Sequence, residues 1–183
     1  MDKIISLDYL ISNFFRNLIP HNLFFNNFFS FFSLKGSFIF IWLLVMLIVL
    51  ILEERKNPGI TKQDKKFVII FSASFLLTFF LADFVLKNIF MRSRPFSSGF
   101  ICPTDFSFPS AHAATAFAAA TVLTYFDKKR RWFYCIVAIL ISYSRIYLGC
   151  HYFFDVIAGV AIGLIISQLL LFVHGTFPFR RKN

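Results

Sequence analysis

The sequence predicts an all-α protein, a polytopic membrane bundle of about five transmembrane helices preceded by short interfacial helices. Three observations predict it. Of 183 residues, 58% are hydrophobic and 20% aromatic, and the mean hydropathy is +0.71, well above an ordinary soluble domain. Five apolar windows approach the roughly 20 residues that a helix needs to cross a bilayer. The basic residues gather in the short connections between those windows, as membrane topology requires.

Residues 1–34 come first, and they differ from the rest. Phe pairs alternate with Asn13, Asn17, Asn22, Asn26 and Asn27, and Pro20 interrupts the run. That pattern predicts an amphipathic, interfacial segment with no crossing. It also lacks the basic start and small-residue cleavage site of a removable leader. Residues 35–183 are predicted to form the bundle, in one domain overall, because no connection has room for a separate core. The spans are expected at 36–52, 67–86, 111–126, 132–144 (reaching Leu148) and 154–173. Residues 111–126 and 132–144 are short for independent spans and need tight packing. Alanines at 111, 113, 114, 116 and 118–120 make one span slim enough for a bundle centre. Gly159 and Gly163, one turn apart, suit a close helix crossing. The segment from Lys87 to Ser110, with Pro95, Pro103 and Pro109, is expected to be irregular.

The formal charge of +10 raises the question of nucleic acid, and the positions of the charges answer it. Arg55, Lys56, Lys62, Lys65 and Lys66 form one cluster, Lys128 to Arg131 a second, and Arg180, Arg181 and Lys182 a third. Alternating crossings put all three on one face, which the positive-inside rule assigns to the cytoplasm. No nucleic-acid module is present, so no nucleic-acid partner is expected. Cys135 falls in a span; Cys102 and Cys150 fall near the outer face and can pair if oxidised, with a reduced structural role the default.

Ionisable groups beside long apolar runs are costly unless they serve something. Phe108-Pro109-Ser110-Ala111-His112 precedes the alanine-rich helix, with Ser110 a natural N-cap. The free N–H groups of that first turn favour an anion, and His112 lies among them. Anchoring of a helix end is the competing role for His112. His151 and Asp155, four apart, share a helix face. A carboxylate bonded to one ring nitrogen would leave the other with its lone pair outward, as a nucleophile or base requires; a structural ion pair is the alternative. Arg145 can grip two phosphate oxygens, and Lys87 and Arg94 add positive charge, although each could simply extend to the interface. Two histidines and a carboxylate could hold a metal, but the surrounding cations favour an anion instead.

Lys87, six residues, Arg94-Pro95; then Pro109-Ser110-Ala111-His112; then Ser144-Arg145, five residues, His151, three residues, Asp155: together these resemble the three-part signature of the type-2 phosphatidic acid phosphatase superfamily. The order and spacings agree, and the resemblance runs from about the second span to the last. One departure is Ala111, where the family usually has Gly; Ala keeps the backbone N–H that the family uses for phosphate. The resemblance implies that His151 attacks phosphorus to form a phosphohistidine, Asp155 orients it, and His112 protonates the leaving oxygen and then activates water. It assigns Lys87, Arg94, Ser110, Ala111 and Arg145 to phosphate binding, and requires no cofactor and no metal. Asp83, one turn before Lys87, is absent from that signature; its spacing alone gives the expectation of a salt bridge that positions Lys87.

The size and loop pattern resemble small bacterial undecaprenyl diphosphate phosphatases. The expected enzyme is thus an integral protein of the bacterial cytoplasmic (inner) membrane. Its site faces outward and removes a terminal phosphate from a lipid phosphate or diphosphate. Phosphatidylglycerophosphate, phosphatidic acid and lipid A phosphates are alternative substrates. An anionic lipid transporter and an inactive scaffold are the rivals from other classes, and binding alone needs neither a nucleophile nor a proton donor.

Overall fold

The computed structural model describes residues 2–33, 37–55, 58–95 and 102–175, and they are helical with irregular connections. Two helices begin the chain, α1 (Asp2–Asn17) and α2 (Leu23–Ser33), with Pro20 between them. The bundle follows with α3 (Ser37–Glu54) and α4 (Lys62–Phe79). α4 opens on a capping box in which Asp64 N donates to Thr61 Oγ1 (3.1 Å) and Thr61 N to Asp64 Oδ2 (2.8 Å). It continues through a π-helical stretch, Phe80–Leu86, into α5 (Lys87–Phe90), so that 29 residues form one rod. The bundle is completed by α6 (Ala111–Phe126), α7 (Arg131–Tyr147) and α8 (Phe153–Val173).

This rod corrects the expectation of an irregular segment beginning at Lys87. Apolar residues continue past Leu86 and no proline intervenes until Pro95, so the helix runs to Phe90. Met91 then stops it in the left-handed conformation (φ 46°). Lys87 is therefore carried on the last helical turn of this rod.

The two longest apolar helices, Lys62–Phe90 and Phe153–Val173, suffice by length and composition to cross a membrane. The outer surface agrees with lipid as its solvent. Phe40, Leu76, Trp132, Ile136, Ile165 and Phe172 stand exposed on the bundle helices, a density of apolar surface that soluble monomers avoid.

The core is built on α6. Ala113, Ala114, Ala116, Ala118 and Ala119 are completely buried, and α4, α7 and α8 pack around them. A Cβ on Gly159 would come within 2.4 Å of the Ser110 carbonyl oxygen, and one on Gly163 within 2.2 Å of that of Ala114. Nothing larger than hydrogen fits at either position, so the backbones of α6 and α8 are in direct contact.

Phe67 at the start of α4 packs on Phe126 at the end of α6, ring centroids 5.0 Å apart. The connections carrying Arg55, Lys62, Lys65 and Lys66 and carrying Lys128 to Arg131 thus share one end of the bundle. The helix directions send Lys87, Ser110 and His151 to the other. Gly36, Lys56, Asn57 and the terminal cluster Arg180, Arg181 and Lys182 lie outside the described residues.

The N-terminal helices pack on α7 and α8. Tyr143 donates to the Phe15 carbonyl (2.8 Å) and Tyr147 to Asn26 Oδ1 (2.7 Å).

Candidate functional site

α6 begins where Ser110 turns the chain. Its Oγ accepts from Ala113 N at 3.5 Å, and its own N–H donates to the Asp155 carbonyl at 2.9 Å. The start of α6 is thereby stitched to the first turn of α8. His112 follows, half-buried in the first turn of α6, with Ala111 before it.

Between α7 and α8 the chain folds back over its own last turn. Gly149 takes a positive φ of 70°, and the N–H groups of Cys150 and His151 both donate to the Arg145 carbonyl (3.0 and 3.1 Å). The six-residue interval from Arg145 to His151 thus closes a compact loop that presents both side chains at one place. A disulfide from Cys150 to Cys102 ties this loop to the segment leading into α6, in place of the reduced cysteines expected; Cys135 is free.

His151 is buried. Its Nδ1 lies 2.7 Å from the Ser107 carbonyl and its Nε2 lies 3.0 Å from Arg94 Nη1. A carbonyl can only accept and a guanidinium only donate, so the partners assign the proton to Nδ1 and the lone pair to Nε2. Burial above all, then the charges of Arg145, Arg94 and Lys87, push the imidazole well below its ordinary 6.5, against the opposing bond to Ser107. Neutral His151 has the tautomer a nucleophile needs.

Here the expected His–Asp hydrogen bond is corrected. Asp155 Oδ2 stands 3.6 Å from His151 Nδ1, too far for one, because the Ser107 carbonyl occupies that position. Asp155, fully buried, instead accepts from Arg92 Nη1 (2.6 Å) and from Tyr152 N (2.9 Å). At 3.6 Å its charge is close enough to favour a positively charged His151 ring through space.

Arg94 is fully engaged. Besides His151, it donates to the carbonyls of Cys150 (2.8 Å), Asp105 (2.8 Å) and Phe106 (3.1 Å) and to Asp105 Oδ1 (2.7 Å). Lys87, only 5% exposed, pairs with Asp83 as expected and also with Asp105. One carboxylate therefore bridges the two cations. Burial raises the Asp105 proton affinity, but the bonds and charges of Lys87 and Arg94 outweigh it and hold the carboxyl below its ordinary value. The bridge contributes stability above that ordinary value and loses it as pH falls through the lower folded one.

Arg145, 1% exposed, donates through Nη1 to both the carbonyl and the hydroxyl of Ser33 at the end of α2. Its Nε and Nη2 are buried with no hydrogen-bond partner among the described residues. That open edge of the guanidinium is the geometry that grips two oxygens of an anion. His112 stands two residues past Ser110, whose N–H is bonded to the Asp155 carbonyl, in the first turn of α6. All eight residues singled out from the sequence, Lys87, Arg94, Ser110, Ala111, His112, Arg145, His151 and Asp155, therefore sit at one end of the bundle.

Sequence reasoning missed Arg92, Ser107, Asp105, Asp8 and Ser33. Arg92 was visible as one more cation beside Arg94. Asp105 stands five residues before Ser110 as the one acid of its loop segment. Asp8 and Ser12, four apart in the first helix, were the local sign that α1 has a polar inner face.

A sequence profile described as the PAP2 superfamily matches residues 67–178. Undecaprenyl-diphosphatase of Sulfolobus acidocaldarius is 32% identical over 151 residues, 78% of this chain and 68% of that protein. Phosphatidylglycerophosphatase B of Bacillus subtilis is 34% identical over 101 residues, about half of each chain. Among solved structures, the PAP2-type phosphatidylglycerolphosphate phosphatase of Bacillus subtilis superposes with a TM-score of 0.69 at 24% identity, covering 98% of this chain and 90% of that one.

Proposed function

The chain belongs to the PAP2 superfamily, and from that premise we propose that it is a metal-independent membrane phosphatase that removes a terminal phosphate from a lipid diphosphate or phosphate. The observation that carries the reading is the pairing of a neutral His151, lone pair on Nε2, with a buried Arg145 whose Nε and Nη2 are left for an anion.

His151 Nε2 attacks phosphorus in line as the bond to the leaving oxygen breaks, and His112 gives that oxygen a proton. Water then attacks the phosphohistidine, the P–N bond breaks, and His112 takes a proton from the water. Arg94 transfers its Nη1 from His151 to a phosphoryl oxygen, and Arg145, Lys87, Ser110 and the Ala111 amide complete the cradle. Positioning and charge stabilisation supply most of what phosphoryl transfer needs. Asp155 balances the positive charge that His151 acquires.

Undecaprenyl diphosphate is the proposed substrate, supported by the name of the relative that aligns over most of the chain. The proposed orientation puts the site at the outer face of the cytoplasmic membrane. Two features support it: the basic connections gather at the opposite end of the bundle, and a disulfide lies beside the site, as oxidising compartments favour.

The test is phosphate release by the purified protein, in EDTA, from undecaprenyl diphosphate, phosphatidylglycerophosphate, phosphatidic acid and lipid A. The expected result is metal-independent release, fastest from the polyprenyl diphosphate and lost in His151→Ala. Lipid movement across vesicles that survives His151→Ala, without release, would instead establish a transporter.

A further inference from the structure

Asp8 lies in α1, far in sequence from every motif, yet it is 1% exposed. A carboxylate buried to that degree is costly unless charges and donors meet it. Apart from Ser12 Oγ on its own helix (3.4 Å), its partners lie beside the site, in Arg92 and the first turn of α8. Oδ2 accepts from Arg92 Nη2 at 2.7 Å, and Oδ1 accepts from the N–H of Phe154 at 3.0 Å. One turn on, Ser12 Oγ accepts from the N–H of Phe153 at 2.8 Å while donating to the Asp8 carbonyl.

Phe153 and Phe154 are the first two residues of α8, and helix starts have N–H groups with no partner in their own helix. Here a different helix caps them. Arg92, stacked 4.1 Å over the Tyr152 ring, then links Asp8 to Asp155 Oδ1. Asp8, Arg92 and Asp155 form a triad of one partly exposed cation between two buried anions. Both carboxylates outweigh the burial of Arg92 and hold its proton above the ordinary value.

We infer that Asp8 is a positioning residue for phosphoryl transfer, fixing the start of α8 and sharing Arg92 so that the charge of Asp155 stays available to His151. The inference rests on the phosphatase reading above. With Asp8 neutral, Arg92 is left to Asp155 alone, and less negative charge faces the imidazole as it becomes positive. Neither Asp8 nor Arg92 belongs to the proposed phosphate cradle, so the effect falls on turnover and not on binding.

The experiment measures kcat, KM and the pH profile of kcat/KM for the full chain and for Asp8→Asn, Asp8→Glu, Arg92→Lys and His151→Ala, with thermal unfolding of each. Asp8→Asn is expected to lower kcat about 10- to 100-fold with KM within threefold, and to move the acid limb to lower pH. Asp8→Glu, which keeps the charge, recovers part of kcat. Arg92→Lys leaves both α8 caps in place but replaces the fork that gives each carboxylate its own nitrogen with a single Nζ on a shorter stem, and kcat falls about tenfold; this variant decides the matter should Asp8→Asn fail to fold. Wild-type kcat in a folded Asp8→Asn or in Arg92→Lys, alongside inactive His151→Ala, overturns the inference and leaves the phosphatase reading intact. A wild-type protein inactive on every lipid phosphate overturns both.

Discussion

α6 and α8 meet backbone to backbone, whereas α1 and α2 reach the same site through hydrogen bonds in which at least one partner is a side chain. In the first contact Gly159 and Gly163 admit the carbonyls of Ser110 and Ala114, and the motif residues at the helix ends inherit their spacing from that seam. In the second, Asp8, Ser12 and Ser33 reach across to α8, Arg92 and Arg145. The seam has no slack, since any side chain there meets main chain. The side-chain contacts can be retuned one atom at a time. Geometry of the site is set by the seam, and its electrostatics are refined by the N-terminal pair.

Breaking the seam should have the largest effect. Gly163→Val drives a branched side chain into the Ala114 carbonyl, and overpacking of this kind costs about 3 kcal/mol or more. The measurement is thermal unfolding in detergent, where we expect loss of a cooperative transition or a fall of many degrees; an unchanged midpoint would contradict the close crossing. Gly159→Ala separates position from stability. Its added methyl pushes on Ser110, so activity should fall on the order of 10²-fold, as for a misplacement of about 1 Å, even where the protein still folds. Full activity in that variant would break the link between seam and site.

The side-chain contacts predict smaller, graded losses. Ser33→Ala removes a hydroxyl from Arg145 but leaves the Ser33 carbonyl in place. A hydrogen bond to a charged group is worth about 1.5 kcal/mol or somewhat more, so inhibition by inorganic phosphate should weaken about tenfold. An unchanged inhibition constant would remove α2 from the account. The gentlest probe is pH. Burial and neighbouring cations depress His151 below 6.5, so its neutral form persists into mild acid and is lost only as pH falls through that lower value. Correspondingly, the acid limb of kcat/KM assigned to His151 should lie below pH 6.5, and a limb above it would contradict the environment described.

The reactive groups were legible in the sequence because each sits in a local pattern. Ser110 caps a helix whose alanines announce a central span, and the predicted 111–126 matches α6 residue for residue. Arg145 and His151 are joined by a short loop, and Gly159 and Gly163 mark a crossing without revealing which helix they cross. What stayed hidden was long-range pairing. Asp8 and Arg92 are 84 residues apart, and no periodicity connects them. The N-terminal segment read as interfacial because its Phe and Asn residues dominate, while a single Asp on the inner face carries almost no weight in composition. Asp155 was expected to bond His151 directly because four-residue spacing on a helix brings side chains together. Here His151 precedes the helix, in the loop, and its ring turns to Ser107.

The central claim is that His151 carries phosphorus during turnover. The most direct measurement is to mix the His112→Ala variant with terminally labelled lipid diphosphate, quench in alkali, and map the label. The account predicts an acid-labile phosphohistidine at His151, absent from His151→Ala. Label on another residue, or turnover by the wild-type enzyme with no phosphoenzyme formed in either protein, would contradict it.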